Sequence, residues 1–204
     1  MKKIRVSVVE DSNTLRRGLA TLLNHAPDLR CHSTCASAEE ALQRLPGDAP
    51  DIVLMDIRLP GLSGIECVAR LAGQMPKARI LMLTAYEDSE DIFQSLAAGA
   101  HGYLVKSTAP EQLLDAIREV AAGGSPISGS VARKIVDFFR ARPAAPGGVG
   151  PLAPREREVL KLLAEGCPYQ QIAAAMSLPA GTVRTCIQQT YEKLHAHGRA
   201  EVAL

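Results

Sequence analysis

Five short apolar runs, each followed by an amphipathic stretch, predict an α/β protein with a five-stranded, doubly wound parallel sheet and a small all-α domain after it. Three observations carry this prediction. The runs are strand-length and rich in Val, Ile and Leu. The stretches between them repeat their apolar residues at helical spacing. A proline- and glycine-rich tract, RARPAAPGGVGPLAP (140–154), separates this alternation from a purely helical remainder.

The first run, IRVSVV (4–9), alternates Ile4, Val6 and Val8 with Arg5 and Ser7, and Val9 lengthens its buried end. A helix over 13–25 follows, with Leu15, Leu19, Leu22 and Leu23 on one face. The second strand is LRCHSTC (29–35) and the second helix spans 38–45. DIVLMD (51–56) precedes a helix over 64–74, and ARILMLT (78–84) precedes one over 89–98. GYLVK (102–106) leads into a helix over 110–122 whose apolar face holds Leu113, Leu114, Ile117 and Val120. Five such units place helices on both faces of the sheet and gather ligands at the carboxyl ends of the strands. A further helix over 131–139 bridges to the Pro/Gly tract. Beyond the tract, helices are expected over 154–165, 169–175 and 180–194, with a short one from 199; Gly166 punctuates the first and Pro179 precedes the third.

Composition narrows the class. An apolar share of 47% with 22% charged residues fits a soluble globular chain, and no run approaches a membrane span. The MKK start resembles a leader only until Glu10-Asp11 interrupts it, so a cytoplasmic location is expected. Five cysteines form no metal or disulfide framework: Cys31 and Cys35 on one strand lie roughly 13 Å apart, too far to bridge. Residues 141–204 hold seven Lys/Arg against five Asp/Glu, a mild excess of positive charge.

The polar residues at the strand ends form a pattern. Strand one ends in Glu10 and Asp11, strand three in Asp56, strand four in Thr84 and strand five in Lys106. A helix cap explains one acid after the first strand, at Asp11 or Ser12, but not two. Three carboxylates on one rim repel one another unless a divalent cation sits among them, and Mg2+ suits hard oxygen ligands that leave room for waters and a phosphate oxygen. A lysine and a small hydroxyl opposite complete a clamp for a phosphoryl group, with Asp56 presented as a nucleophile.

Residues 1–123 resemble the receiver domain of two-component response regulators through VVEDS, LMDIRLPGLSGIE, ILMLTAY and GAHGYLVKS. The resemblance implies a flavodoxin-like sheet in which Asp56 is the phosphoacceptor. It also implies that Glu10 and Asp11, with Asp56 and the Arg58 backbone carbonyl, hold Mg2+. Thr84 would be the switch hydroxyl, Lys106 the phosphate partner, and Tyr103 the aromatic that moves inward on activation. Ser107 follows Lys106 where many receivers carry proline, which leaves the geometry of that peptide bond open. Phosphatases of the haloacid dehalogenase type need a second acid two residues after the nucleophile; Arg58 stands there, so the chain is not expected to be an enzyme.

The C-terminal part resembles the helix-turn-helix output domain of the NarL/FixJ, or LuxR-type, regulators through PREREVLKLLAEG, QQIAAAM, GTVRT and YEKL. The division is then a receiver at 1–123, a connecting helix and linker at 124–153, and an output domain at 154–204. On the third helix, Val183, Ile187, Tyr191 and Leu194 would face inward and Arg184, Thr185, Gln188, Gln189 and Glu192 outward. Thr182 would start or cap that helix, and Arg184, Thr185 and Gln188 could read base edges in a major groove, with Lys193 adding positive charge. The implied function is transcriptional regulation: a sensor histidine kinase phosphorylates Asp56, and the protein, as a homodimer on phosphorylation, binds double-stranded promoter DNA without any membrane partner. The alternative is a phosphorylation-gated interaction protein. Few basic residues, a short final helix, and departures such as Tyr169-Gln170, Ala174-Ala175 and Cys186 would fit an output domain that contacts a protein.

Overall fold

A computed structural model describes residues 3–85, 89–141, 152–179, 181–190 and 193. The first half alternates β1 (Ile4–Val9), α1 (Asn13–His25), β2 (Leu29–Cys35), α2 (Ala38–Asp48), β3 (Ile52–Met55), α3 (Gly64–Gln74), β4 (Arg79–Thr84), α4 (Ser89–Ala97), β5 (Gly102–Val105) and α5 (Pro110–Ala121). All pairings are parallel and the strand order is β2-β1-β3-β4-β5. The order reverses between β1 and β3, which opens a crevice at the carboxyl ends of those two strands.

Alternation along each strand feeds two cores. Ile52 and Leu54 of β3 pack with Leu19 and Leu23 of α1 and Leu113, Ile117 and Val120 of α5. Val53 and Met55 point the other way, onto Leu45 of α2, Val68 and Leu71 of α3 and Ile92 and Leu96 of α4. Each such side chain contributes about 1.5–3 kcal/mol when fully buried, which explains why β3 reads as an unbroken apolar run rather than an alternation. Side-chain caps start α1 (Ser12), α2 (Ser37) and α3 (Ser63, in a reciprocal box with Glu66). Helix α2 is longer than the expected 38–45. It runs on to Asp48 although Pro46 gives no N–H to the ladder, and the helix stops at Ala49, whose left-handed φ of 46° lets its N–H reach the Leu45 carbonyl.

Past α5 the chain returns to the sheet. Tyr103 of β5 donates its N–H to the Pro126 carbonyl, and its own carbonyl accepts from the Ser128 N–H, so 126–128 lies parallel beside β5. The helices α6 (Gly129–Ala141), α7 (Pro154–Ala164), α8 (Tyr169–Ala175) and α9 (181–190) follow. Helix α6 starts two residues before, and ends two after, the expected 131–139. Its Val131, Ala132, Ile135 and Val136 belong to one apolar cluster with Ile92 and Leu96 of α4 and with Val159, Leu160 and Leu163 of α7. The approach to α7 is close: a Cβ added at Gly129 would stand 2.7 Å from the Leu163 carbonyl oxygen. The end of the 180–194 helix and the short helix from 199 lie outside the described residues.

Candidate functional site

The acid pair closes β1 on the crevice. Glu10 is 2% exposed and Asp56, after β3, is 4% exposed, while Asp11 faces outward. One oxygen from each of the three carboxylates can be chosen so that all lie within 4.8 Å of one another. Helix α1 is capped by Ser12, whose Oγ accepts from the Leu15 N–H, so neither acid is needed for that purpose. Glu10 Oε1 accepts from the Ser12 N–H.

Lys106, just past β5, reaches across the crevice. Its Nζ lies 2.7 Å from Glu10 Oε2 and donates to Asp56 Oδ2 at 2.8 Å. Asp56 Oδ1 accepts from the Ile57 N–H at 2.7 Å. Burial pushes the Glu10 carboxyl above its usual range and the charge of Asp56 adds to this, with the Lys106 hydrogen bond pulling the other way. For Lys106 burial works against the charged form, but the hydrogen bonds it donates to Asp56 and Glu10 outweigh it and hold the ammonium above its ordinary value. An all-oxygen donor set of this charge, partly neutralised by one lysine, fits a small hard divalent cation.

Thr84 ends β4 fully buried, and its carbonyl accepts from the Lys106 N–H, tying two of the expected residues together. No cis peptide occurs among the described residues, so Lys106–Ser107 is trans. The Arg58 side chain leaves the crevice and pairs with Asp91 of α4 at 2.9 Å. Tyr103, expected to move inward on activation, is already fully buried, in one cluster with Ile92 and Leu96 of α4 and Ile127, Val131 and Ala132 of the returning segment and α6.

Two contributors escaped the sequence reading. Arg16 donates to the carbonyls of Glu10 and Asp11 at 2.6 and 3.0 Å, fixing the backbone that carries the acid pair. Its position one turn into the helix after the acids was the available signal. Gly64 lets the loop after Asp56 fold back: its N–H donates to the Ile57 carbonyl, and an added Cβ would stand only 1.8 Å from the Asp56 carbonyl oxygen.

In the C-terminal helices, Val183 and Ile187 of α9 are buried as expected, and Arg184, Thr185, Gln188 and Gln189 are exposed. Cys186 and Thr190 join the buried face, the latter donating its hydroxyl to the Cys186 carbonyl, a consequence of the 3.6-residue period that the wider spacing missed. Tyr191, Glu192 and Leu194 lie outside the described residues. Thr182 sits one residue inside the helix, half-buried, and its N–H donates to the Pro179 carbonyl. Lys193 Nζ stands 2.6 Å from Glu156 Oε2, whose carboxylate also accepts from the Ala153 N–H. That lysine therefore ties residue 193 back to α7 within the C-terminal helices.

The recognition-like face does not look only to solvent. Arg184 Nε lies 3.9 Å from Glu119 Oε1 on α5. Beside Glu119 runs a cleft of about 460 Å3, walled by Ala116, Glu119, Ile127, Cys167 and Tyr169. A larger hollow, about 780 Å3, lies at the opposite end of the sheet beside Arg5, Asp51 and Arg79, away from the acid cluster.

The chain matches the family described as "Response regulator receiver domain" over residues 6–118 and the family described as "Bacterial regulatory proteins, luxR family" over residues 150–204. It is 30% identical over 200 residues to the nitrate/nitrite response regulator protein NarL of Escherichia coli, covering 98% of this chain and 93% of that protein. It is 34% identical over 201 residues to the DNA-binding transcriptional activator DevR/DosR of Mycobacterium tuberculosis, with the same 98% and 93% coverage. The crystal structure of a LuxR-family two-component response regulator from Aurantimonas sp. resembles 69% of this chain and all of its own, at a TM-score of 0.64 and 32% identity.

Proposed function

We propose, for a chain that belongs to the NarL/LuxR family of two-component response regulators, that it is a phosphorylation-controlled transcription regulator whose phosphoacceptor is Asp56. The observation that carries this reading is the Lys106 ammonium bridging buried Glu10 and Asp56 at 2.7 and 2.8 Å, with Asp11 and Thr84 at the same strand ends. An oxygen of Asp56 attacks phosphorus in line as the P–N bond of a histidine kinase's phosphohistidine breaks. Mg2+, held by Glu10, Asp11, Asp56 and the Arg58 carbonyl, would supply positive charge to the phosphoryl oxygens. Lys106 then exchanges a carboxylate for a phosphoryl oxygen. Thr84 donates its hydroxyl to the same group, and the added charge of about −1.5 to −2 is absorbed at one rim.

The signal passes through Tyr103. Its side chain packs under α4 and α6, and its main chain holds 126–128, the segment that leads into α6. Repacking at Thr84 therefore reaches the helix that the output domain rests on. Arg184, Thr185 and Gln188 read base edges once α9 leaves α5, and Thr182 sits at the start of that helix. Lys193 serves as a brace instead. A cytoplasmic dimer on two half-sites supplies affinity that one small module lacks. The protein-partner alternative is not favoured, since residues 150–204 match a family of bacterial regulatory proteins and DevR/DosR is named as a DNA-binding activator.

The test is phosphoryl uptake from a small-molecule donor in the presence of Mg2+, followed by retention on genomic DNA fragments at several salt concentrations. Wild-type protein takes up the group, and its retention falls with salt and rises with phosphorylation; Asp56→Asn does neither. Uptake at wild-type level by Asp56→Asn would remove the site assignment. Phosphorylated protein that is not retained at low salt would remove the DNA reading.

A further inference from the structure

Glu119 is a carboxylate in an unusual place. It sits on the last turns of α5, 16% exposed, facing the cleft to the output domain. Its Oε1 is buried without a hydrogen-bond partner among the described residues, and the Tyr169 hydroxyl on the other wall, buried as well, turns to the Ile127 backbone and not to Glu119. The side chain is held in its direction from behind: the chain turns at Gly123 and Gly124, and a Cβ at Gly124 would stand 2.4 Å from Glu119 Cγ.

The charges around it are few. On α9, Arg184 approaches at 3.9 Å but is 53% exposed, so water screens much of the attraction. On α8 and its approach, Tyr169 and Cys167 share the cleft; the Tyr169 phenol is pushed well above its ordinary range by burial and by Glu119 itself. On its own helix, Arg118 is engaged by Asp28 and Asp115 and does not turn to Glu119. A carboxylate buried with one half-exposed counter-charge and no hydrogen bond is costly, whereas a carboxylic acid in the same place carries no charge and can donate.

We propose that Glu119 is a proton-operated latch between the two domains: with a proton on its carboxyl the output domain stays docked on α5, and on ionisation the docked arrangement loosens. The latch depends on docking alone and not on what the output domain binds, so it stands or falls separately from the DNA reading. Burial in the docked state pushes the carboxyl up to about 7, with Arg184 opposing, against an ordinary value of 4.5 once undocked and wet. Docking therefore takes up a proton between those values, and it is favoured as pH falls and lost as pH rises through the docked value. The docked-to-undocked ratio drops roughly tenfold from about pH 6 to about pH 8.

Amide hydrogen exchange of the cleft walls, residues 127–129, 167 and 169–172, reads this ratio in the full unphosphorylated chain. Compared at each pH with Glu119→Gln, which cannot ionise, wild-type protection should fall about tenfold across that interval, because intrinsic exchange and every group the two chains share cancel in the comparison. A flat ratio, or protection that rises with pH, overturns the proposal. A second measurement needs no Glu119 variant for its answer: the carboxyl is titrated by carbon NMR in the full chain and in Gly129→Leu, which cannot close against Leu163. A midpoint near neutrality that falls toward the ordinary carboxylate range on undocking supports the latch. A midpoint in that ordinary range in the native chain, or one that undocking leaves unchanged, refutes it.

Discussion

Replacing Lys106 with methionine keeps the aliphatic stem and deletes the charge between two buried acids. Glu10 and Asp56 have side chains 3% and 5% exposed, and Lys106 20%. Removing one partner of a buried ion pair leaves an uncompensated charge and costs about 3–5 kcal/mol, several times the worth of an exposed pair. In urea, at a slope of about 2 kcal/mol/M, the midpoint should fall by roughly 1.5–2.5 M near neutral pH with a chelator present. The loss should shrink as pH falls. Glu10 already has its folded carboxyl raised by burial, and without the lysine it rises further, so the penalty present above the folded value is relieved as pH falls through it. Added Mg2+ should stabilise Lys106→Met more than wild type, since the competing cation is gone. The assay is urea unfolding of the full chain followed by circular dichroism. A loss under about 1 kcal/mol at neutral pH, typical of an exposed pair, or a larger loss at acid pH, would refute the reasoning.

Gly64→Ala drives a methyl to 1.8 Å from the Asp56 carbonyl oxygen, so the loop must move; a loss of about 1–3 kcal/mol, as for overpacking, together with slowed phosphoryl uptake is expected from melting and uptake assays run side by side. Cys35 and Cys67 are buried, with thiols pushed by burial up to about 11 and about 12. At neutral pH they should resist alkylation in the native chain, while the half-buried Cys31 and Cys167 react first; mass spectrometry of the alkylated peptides reads the order.

Much of the receiver was legible because period and burial agree. The run IVLM, apolar at every position, requires a strand covered on both faces, and parallel crossover then brings residues 10, 56, 84 and 106 to one rim without any knowledge of distance. What escaped depends on contacts between remote parts of the chain. Arg16 works through backbone carbonyls, and its place one turn into the helix after the acids is the one hint of this in the sequence. Gly64 matters through a clash that only the folded loop reveals. The pairing of 126–128 with β5 rests on three residues, too few for a period. On α9, the wide spacing Val183, Ile187, Tyr191 and Leu194 selected a stripe narrower than the buried face, so Cys186 and Thr190 were missed. The Glu119–Arg184 approach joins residues of two domains, and each alone reads as a solvated charge.

The segment 126–128 also decides what the outer border of the sheet offers to other molecules. β5 is the last strand on its side, and a bare strand there is a template on which a second chain can add itself. With Pro126–Ser128 in place, the hydrogen-bonding row at Tyr103 is already used from within. The Pro126 carbonyl and the Ser128 N–H both turn inward onto Tyr103, so only Ile127 between them presents its main-chain groups away from β5, a row one residue long. A fragment ended after α5 would lose this seal, and copies of it would be prone to join edge to edge or to trade strands. The stretch that leads into α6 thus also covers the edge of the sheet at Tyr103.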